Sequence, residues 1–119
     1  MPDTPTFRHP HGLPNMTTQQ RIQQIVSEHP VVLFMKGNAQ FPMCGFSGRA
    51  VQILKACEVN DLFTVDVLQD DEIRQGVKDF ANWPTIPQLY IKGEFIGGSD
   101  IMMEMYQSGE LKQIIAELA

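Results

Sequence analysis

Val31-Val32-Leu33-Phe34-Met35 is an unbroken apolar run rich in strand-forming residues, bounded by Pro30 in front and Lys36-Gly37 behind. With no polar residue at alternate positions, it predicts a strand covered on both faces, hence a central strand with parallel connections. Such a strand needs helices above and below it, and the flanking sequence supplies them. Thr17-Thr18-Gln19-Gln20 has the Thr-x-x-Gln spacing of a capping box, and Ile22, Ile25 and Val26 follow at helical spacing until Pro30 ends the helix. Lys36 to Met43, with Gly37, Asn38 and Pro42, reads as a loop. Ala50, Val51, Ile53, Leu54 and Ala56 then place a second helix over about Cys44 to Cys57.

The same pattern continues. Leu62 to Val67 predicts a second strand, and Asp70 or Asp71 caps a helix carrying Ile73, Val77 and Phe80. Trp83-Pro84-Thr85-Ile86-Pro87 interrupts the alternation. Gln88 to Ile91 resumes as a strand, and Lys92-Gly93-Glu94 turns into a short strand at Phe95 and Ile96. Gly97-Gly98-Ser99-Asp100 leads into helical sequence through Ile101, Met105, Leu111, Ile114, Ile115 and Leu118, broken near Ser108-Gly109. The fold class expected is α/β: a central four-stranded mixed sheet with a β-α-β-α-β-β-α core, flanked by helices and preceded by an extra N-terminal helix. No internal repeat is present.

A chain of 119 residues that is 43% hydrophobic suits one domain with a single core. No apolar stretch approaches the roughly 20 residues of a membrane span, so no membrane partner is expected. A formal net charge of −5 argues against nucleic acid as a partner, which requires a basic footprint. Two cysteines make no disulfide framework and point to a reducing compartment, the cytoplasm. Residues 1–15 hold Pro2, Pro5, Pro10 and Pro14 with neither an apolar signal core nor the Arg and Ser of a transit peptide. They read as a flexible tail ahead of a domain over residues 16–119. His9 and His11 in that tail form a possible metal pair, outweighed by the ordinary reading of exposed histidines that bind nothing.

Cys44-Gly45-Phe46-Ser47 stands where a thiol-disulfide oxidoreductase carries Cys-x-x-Cys, with Ser47 in place of the second thiol. A cysteine at a helix start has its thiolate favoured by the free N–H groups of the first turn, and Lys36 adds a nearby positive charge. The bland alternative is a small buried hydrophobe, against which stand Gly45 and the Pro42 loop, both favouring access. Cys57 lies 13 positions along the same helix; at about 1.5 Å per residue the two α-carbons stand nearly 20 Å apart, beyond disulfide reach. Core packing is its expected role. A nucleophilic thiol without a resolving neighbour borrows one from a small molecule or serves as a ligand, which points to glutathione and iron-sulfur chemistry.

Lys36-Gly37-Asn38, Cys44-Gly45-Phe46-Ser47, Trp83-Pro84-Thr85-Ile86-Pro87-Gln88-Leu89-Tyr90 and Gly97-Gly98-Ser99-Asp100, in that order and spacing, resemble the monothiol glutaredoxins of the Cys-Gly-Phe-Ser type, which have a thioredoxin-like fold. The resemblance runs from about Thr17 to the C-terminus. It implies a cis bond before Pro87, turning the Ile86 backbone towards a bound cysteinyl peptide, where an ordinary strand-entry proline is the plain alternative. It implies glutathione binding by Lys36, Arg74, Lys78, Ile86, Ser99 and Asp100, with Gly45, Phe46, Thr85, Pro87 and Gly98 around them. In that reading the glycines let backbone approach the ligand, the helix start after Gly98 meets the γ-glutamyl carboxylate, and Asp100 pairs with its ammonium. Arg74 and Lys78, four apart on one helix face, meet the other carboxylate with Lys36; the alternative is a solvated pairing with Asp70, Asp71 or Asp79. Trp83 is expected in turn and core packing rather than against a ligand, and Phe46 beside the thiol is expected to be partly exposed. Ser99 stands where many relatives have a further cysteine.

A [2Fe-2S] cluster wants four ligands, normally thiolates, and this chain has one well-placed sulfur. Two Cys44 sulfurs and two glutathiones complete the set, so the expected carrier is a cluster-bridged homodimer. The resemblance adds transfer to apo iron-sulfur proteins and pairing with BolA-like partners. The rival is a glutathione-dependent oxidoreductase in which the Cys44 thiolate attacks a glutathione mixed disulfide and a second glutathione resolves it. A third reading, a redox-insensitive adaptor, predicts that Cys44→Ser is silent.

Overall fold

The computed structural model describes residues 16–118; the expectations for residues 1–15, including His9 and His11, and for Ala119 lie outside the described residues. Helix α1 (Thr18–Glu28) leads into strand β1 (Val31–Met35), and α2 (Gly45–Ala56) into β2 (Leu62–Asp66). After one 3-10 turn at Val67–Gln69 come α3 (Asp71–Ala81), β3 (Gln88–Ile91), β4 (Glu94–Gly97), α4 (Ser99–Ser108) and α5 (Glu110–Ala116).

Local chemistry sets the ends of these elements. Thr17 Oγ1 accepts the Gln20 N–H at 3.1 Å while Gln20 Oε1 accepts the Thr17 N–H at 2.9 Å, completing the capping box of α1. Asp70 caps α3 by accepting from the N–H groups of Glu72 and Ile73. Gly109, at φ +86, breaks the last helical stretch into α4 and α5. β2 ends one residue earlier than the apolar pattern suggests. The Asp66 carboxylate accepts the Leu68 N–H at 2.9 Å and turns Val67 out of the strand.

The sheet runs β2-β1-β3-β4. β1 is central and wholly buried, as expected, yet parallel only to β2; its other neighbour, β3, is antiparallel, as is β4 to β3. Alternation along β1 divides the core. Val31, Leu33 and Met35 pack with α2, α4 and α5 through Ala50, Val51, Leu54, Met102 and Leu111. Val32 and Phe34 face the other way, to Ile22, Ile25 and Val26 of α1 and Ile73 and Val77 of α3. Each such side chain contributes about 1.5–3 kcal/mol on burial.

Helices α1 and α3 approach closely because Gly76 has no side chain. A Cβ there would lie 2.6 Å from Thr18 Cγ2, and Gln19 Nε2 donates to the Gly76 carbonyl at 2.9 Å. Across the same contact, Arg21, only 6% exposed, pairs with Asp70 at 2.8 Å.

Register fixes where the loops meet. Met35 at the end of β1 lies beside Asp66 at the end of β2, Phe34 pairs with Gln88 at the start of β3, and Gly97 at the end of β4 pairs with Leu89. The loops that follow β1 and β2, precede β3 and follow β4 therefore share one end of the sheet.

Candidate functional site

Cys44 sits at that end as the N-cap of α2, in extended backbone conformation. Its Sγ accepts the Ser47 N–H at 3.4 Å and lies 3.3 Å from Ser47 Oγ. Burial pushes the thiol pKa up, but the Ser47 hydroxyl, the Ser47 and Phe46 backbone N–H groups and the Lys36 charge outweigh it, so the pKa is lowered overall. Ser47 is fully buried, and its Oγ also accepts the Lys36 N–H at 3.0 Å. The residue in the second-thiol position thus joins the helix start to the preceding loop.

That loop is a tight hairpin. The Met43 N–H donates to the Lys36 carbonyl at 2.8 Å, Asn38 and Phe41 exchange backbone hydrogen bonds, and the Gly37 N–H donates to Asp66 Oδ1 at 2.9 Å. Gly37 at φ +87 has no room for a side chain, since a Cβ would fall 2.4 Å from the Phe41 carbonyl oxygen. Around Cys44, itself partly exposed, the hairpin and helix start present Phe41, Met43 and Phe46 to solvent, and a Cβ on Gly45 would meet open space.

A cleft of about 220 Å³ opens beside the first turn of α2, lined by Phe46, Trp83, Thr85, Ile86, Pro87, Gly98, Ser99, Asp100 and Ile101. The Ile86–Pro87 bond is cis, as the family resemblance implied. Gln88, fully buried, holds this wall: its Nε2 donates to the carbonyls of Trp83 at 3.0 Å and Thr85 at 3.2 Å, and its Oε1 accepts from the Tyr90 hydroxyl at 2.9 Å. Burial pushes the Tyr90 pKa up, so that hydroxyl keeps its proton. Opposite, a Cβ on Gly98 would come within 3.4 Å of the Pro87 carbonyl oxygen and of Trp83 Nε1, so glycine allows the two walls to meet.

Trp83 has the packing role expected from the sequence and a place in the cleft wall besides. It packs on Phe95 with ring centroids 5.5 Å apart, but it also lines the cleft, and its buried Nε1 has no hydrogen-bond partner among the described residues. The turn that sends the chain into β3 brings its ring under Gly98, a proximity with no local sequence signal. At the mouth of the cleft α4 begins without a side-chain cap, leaving its first N–H groups available, and the exposed Asp100 is 3.9 Å from Arg49 Nη1.

Arg74 and Lys78 lie outside this cleft, half-buried on α3. Neither pairs with Asp70, Asp71 or Asp79 among the described residues; Asp70 is taken by Arg21, and Arg74 Nε is buried without a partner. Lys78 shares a neighbouring depression with Trp83. Cys57, the C-cap of α2, is 3% exposed, and burial pushes its pKa up against a weaker opposing effect of Lys112. It borders a larger cavity of about 500 Å³ at the far end of α2, formed with Glu58 to Asp61 and α5. Cys44 has no part in that cavity, so its size says nothing of the thiol chemistry.

The structure therefore gathers Phe46, Thr85, Ile86, Pro87, Gly98, Ser99 and Asp100 at one cleft, with Cys44 two residues before Phe46 at the start of the same helix and Lys36 acting on the thiol. Sequence reasoning passed over Gln88, Arg49 and the hydrogen-bonding role of Ser47. Only Gln88 carried a usable signal, a polar residue inside an otherwise apolar strand.

Residues 31–96 match the family described as Glutaredoxin. The chain is 55% identical over 103 residues to monothiol glutaredoxin-5, mitochondrial, of Schizosaccharomyces pombe, covering 85% of this chain and 70% of that one. Among solved structures it is similar to reduced apo GrxS14 of poplar, at 47% identity and a TM-score of 0.72, over 83% of this chain and 90% of that one. It is also similar to a buckwheat glutaredoxin-glutathione complex, at 27% identity and a TM-score of 0.74, over 84% and 88% of the two chains.

Proposed function

The chain belongs to the glutaredoxin family, as a monothiol member on the thioredoxin fold, and from that premise we propose that it binds glutathione in this cleft and carries a [2Fe-2S] cluster between two copies of itself. The observation that carries the proposal is the Cys44 sulfur: accessible beside Gly45, lowered in pKa, and without a second thiol at Ser47. Cys57, the other cysteine, is buried at the opposite end of α2. Among the described residues no three His, Cys, Asp or Glu side chains converge on a metal position. In this reading the four ligands are two Cys44 thiolates and two glutathione thiols.

The cleft suits that peptide. The uncapped start of α4 offers N–H groups to the γ-glutamyl carboxylate and Asp100 a charge to its ammonium. Thr85, Ile86, Pro87 and Gly98 form the wall along which an extended cysteinyl backbone lies, with Gly45 and Phe46 beside the thiol. Lys36, Arg74 and Lys78 serve the glycyl carboxylate, a role left open to Arg74 and Lys78 by their having no ion-pair partner among the described residues. The glutathione-bound buckwheat relative supports the same ligand.

The cluster in this account is cargo, delivered to apo iron-sulfur proteins and shared with BolA-like partners. The compartment we assign is the cytoplasm; among the described residues no helix is long and apolar enough to cross a membrane. Anaerobic reconstitution with iron, sulfide and glutathione tests the reading by visible absorption and sizing. Wild type and Cys57→Ser should colour and shift to dimer, and Cys44→Ser should do neither. A lowered thiolate also suits attack on a mixed disulfide. Fast turnover of a glutathione mixed disulfide with no cluster uptake would therefore replace the carrier with the oxidoreductase.

A further inference from the structure

Arg49 stands at the cleft mouth as the ion-pair partner of Asp100 among the described residues, with no part in holding glutathione as proposed above. We propose that Arg49 sets the charge specificity of the cleft, favouring a ligand whose free end carries a carboxylate beside its ammonium over one that carries an ammonium alone. The inference rests on reading the cleft as a glutathione site.

Arg49 stands three residues after Phe46 on α2, on the same helix face, and Phe46 lines the cleft. Helix α2 packs against α4, which brings the Arg49 guanidinium across the cleft mouth to the first turn of α4. The contact is 3.9 Å long, with the two side chains 48% and 86% exposed. A pair of that length and exposure is weak and opens readily. It is available for exchange with a ligand.

Asp100 alone would attract an ammonium and repel a carboxylate. An α-amino acid end carries both groups on one carbon, so each gain at Asp100 would come with a loss. Arg49 changes that balance in two ways. Its charge offsets the repulsion between Asp100 and the ligand carboxylate, adding to the attraction of the free N–H groups of α4. It also occupies Asp100 when the cleft is empty, so a ligand with only an ammonium must displace it without returning an anion to the guanidinium. The zwitterion displaces Arg49 from Asp100 and offers it a carboxylate in exchange.

Calorimetric titration of the full chain with three peptides tests this: glutathione, its des-amino analogue glutaryl-Cys-Gly, and its decarboxylated analogue 4-aminobutanoyl-Cys-Gly. Arg49→Gln removes the charge from an exposed side chain and should leave the fold intact. It should weaken the des-amino analogue by about two- to fivefold and tighten the decarboxylated one by a similar factor, as expected for an exposed pair. Glutathione, holding both groups, should shift less than either analogue. Arg49→Lys should restore the wild-type order, and 0.5 M salt should shrink every difference by screening. A uniform shift across the three peptides, no shift, or the reverse order would overturn the role of Arg49. Failure of wild type to bind glutathione would instead overturn the glutathione reading beneath it.

Discussion

With its hydroxyl 3.3 Å from Cys44 Sγ and its Oγ accepting the Lys36 N–H at 3.0 Å, Ser47 couples the reactive sulfur to the backbone of the loop before it. Burial raises the Cys44 pKa and these donors, with Lys36, bring it below the ordinary thiol value. For an acid whose folded pKa is depressed, the associated stabilisation is present above the unfolded pKa, about 8.5 for a thiol, and is lost as pH falls through the folded one. Ser47→Ala removes the hydroxyl donor and strands the Lys36 N–H, an unpaired buried group costing about 1–3 kcal/mol. We expect the pH midpoint of Cys44 alkylation to move upward in that variant, while backbone donors keep it below that of an unstructured thiol. An unmoved midpoint would show that the backbone alone sets the thiolate. That Ser47 replaces a thiol is evident in Cys44-Gly45-Phe46-Ser47 itself; that it is a buried hydrogen-bond junction depends on Lys36, 11 residues away, and has no local mark.

Most element boundaries follow from local chemistry and were legible for that reason. The Thr17 capping box, the Asp70 cap, the apolar run of β1 and the break at Gly109 all declare themselves within a few residues. The exceptions are long-range. β3 lies antiparallel beside β1, a pairing that no apolar run encodes. Trp83 reaches the cleft only because its turn folds under Gly98. The Arg21–Asp70 pair joins α1 to α3 across 49 residues of sequence, and a lone Arg in an amphipathic helix reads as solvated. Burial raises the Asp70 pKa, but the Arg21 hydrogen bond, the N–H of Ile73, the Arg21 charge and the N–H of Glu72 lower it overall. The stabilisation from this pair is therefore present above the unfolded carboxyl pKa of about 3.9 and fades as pH falls through the lower folded value. Arg21→Met should cost about 1–3 kcal/mol in urea unfolding at pH 7, where Asp70 loses its partner but keeps its capping bonds. The gap from wild type should narrow as pH falls below the unfolded carboxyl value of about 3.9 and through the lower folded one. A gap that stays equal across that range would assign the loss to packing of the Arg21 stem.

At the scale of the molecule, a formal charge of −5 coexists with four cations, Lys36, Arg49, Arg74 and Lys78, on the elements that surround or adjoin the thiol end of the sheet. Those elements also carry Asp66, Asp70, Asp71, Asp79 and Asp100, and the cations suit the carboxylates of a small anionic peptide. In the proposed carrier, glutathione is the second source of cluster ligands. Cys44, the segment from Trp83 to Pro87 and the run from Gly97 to Asp100 were readable as separate motifs; their meeting at one end of the sheet came from strand register. The most direct measurement is native mass spectrometry of the anaerobically reconstituted protein, with and without glutathione. With glutathione, the mass should be that of two chains carrying about two irons, two sulfides and two glutathiones; omitting it should leave iron-free chains. A fully loaded cluster formed with no added thiol, or one retained by Cys44→Ser, would contradict the account.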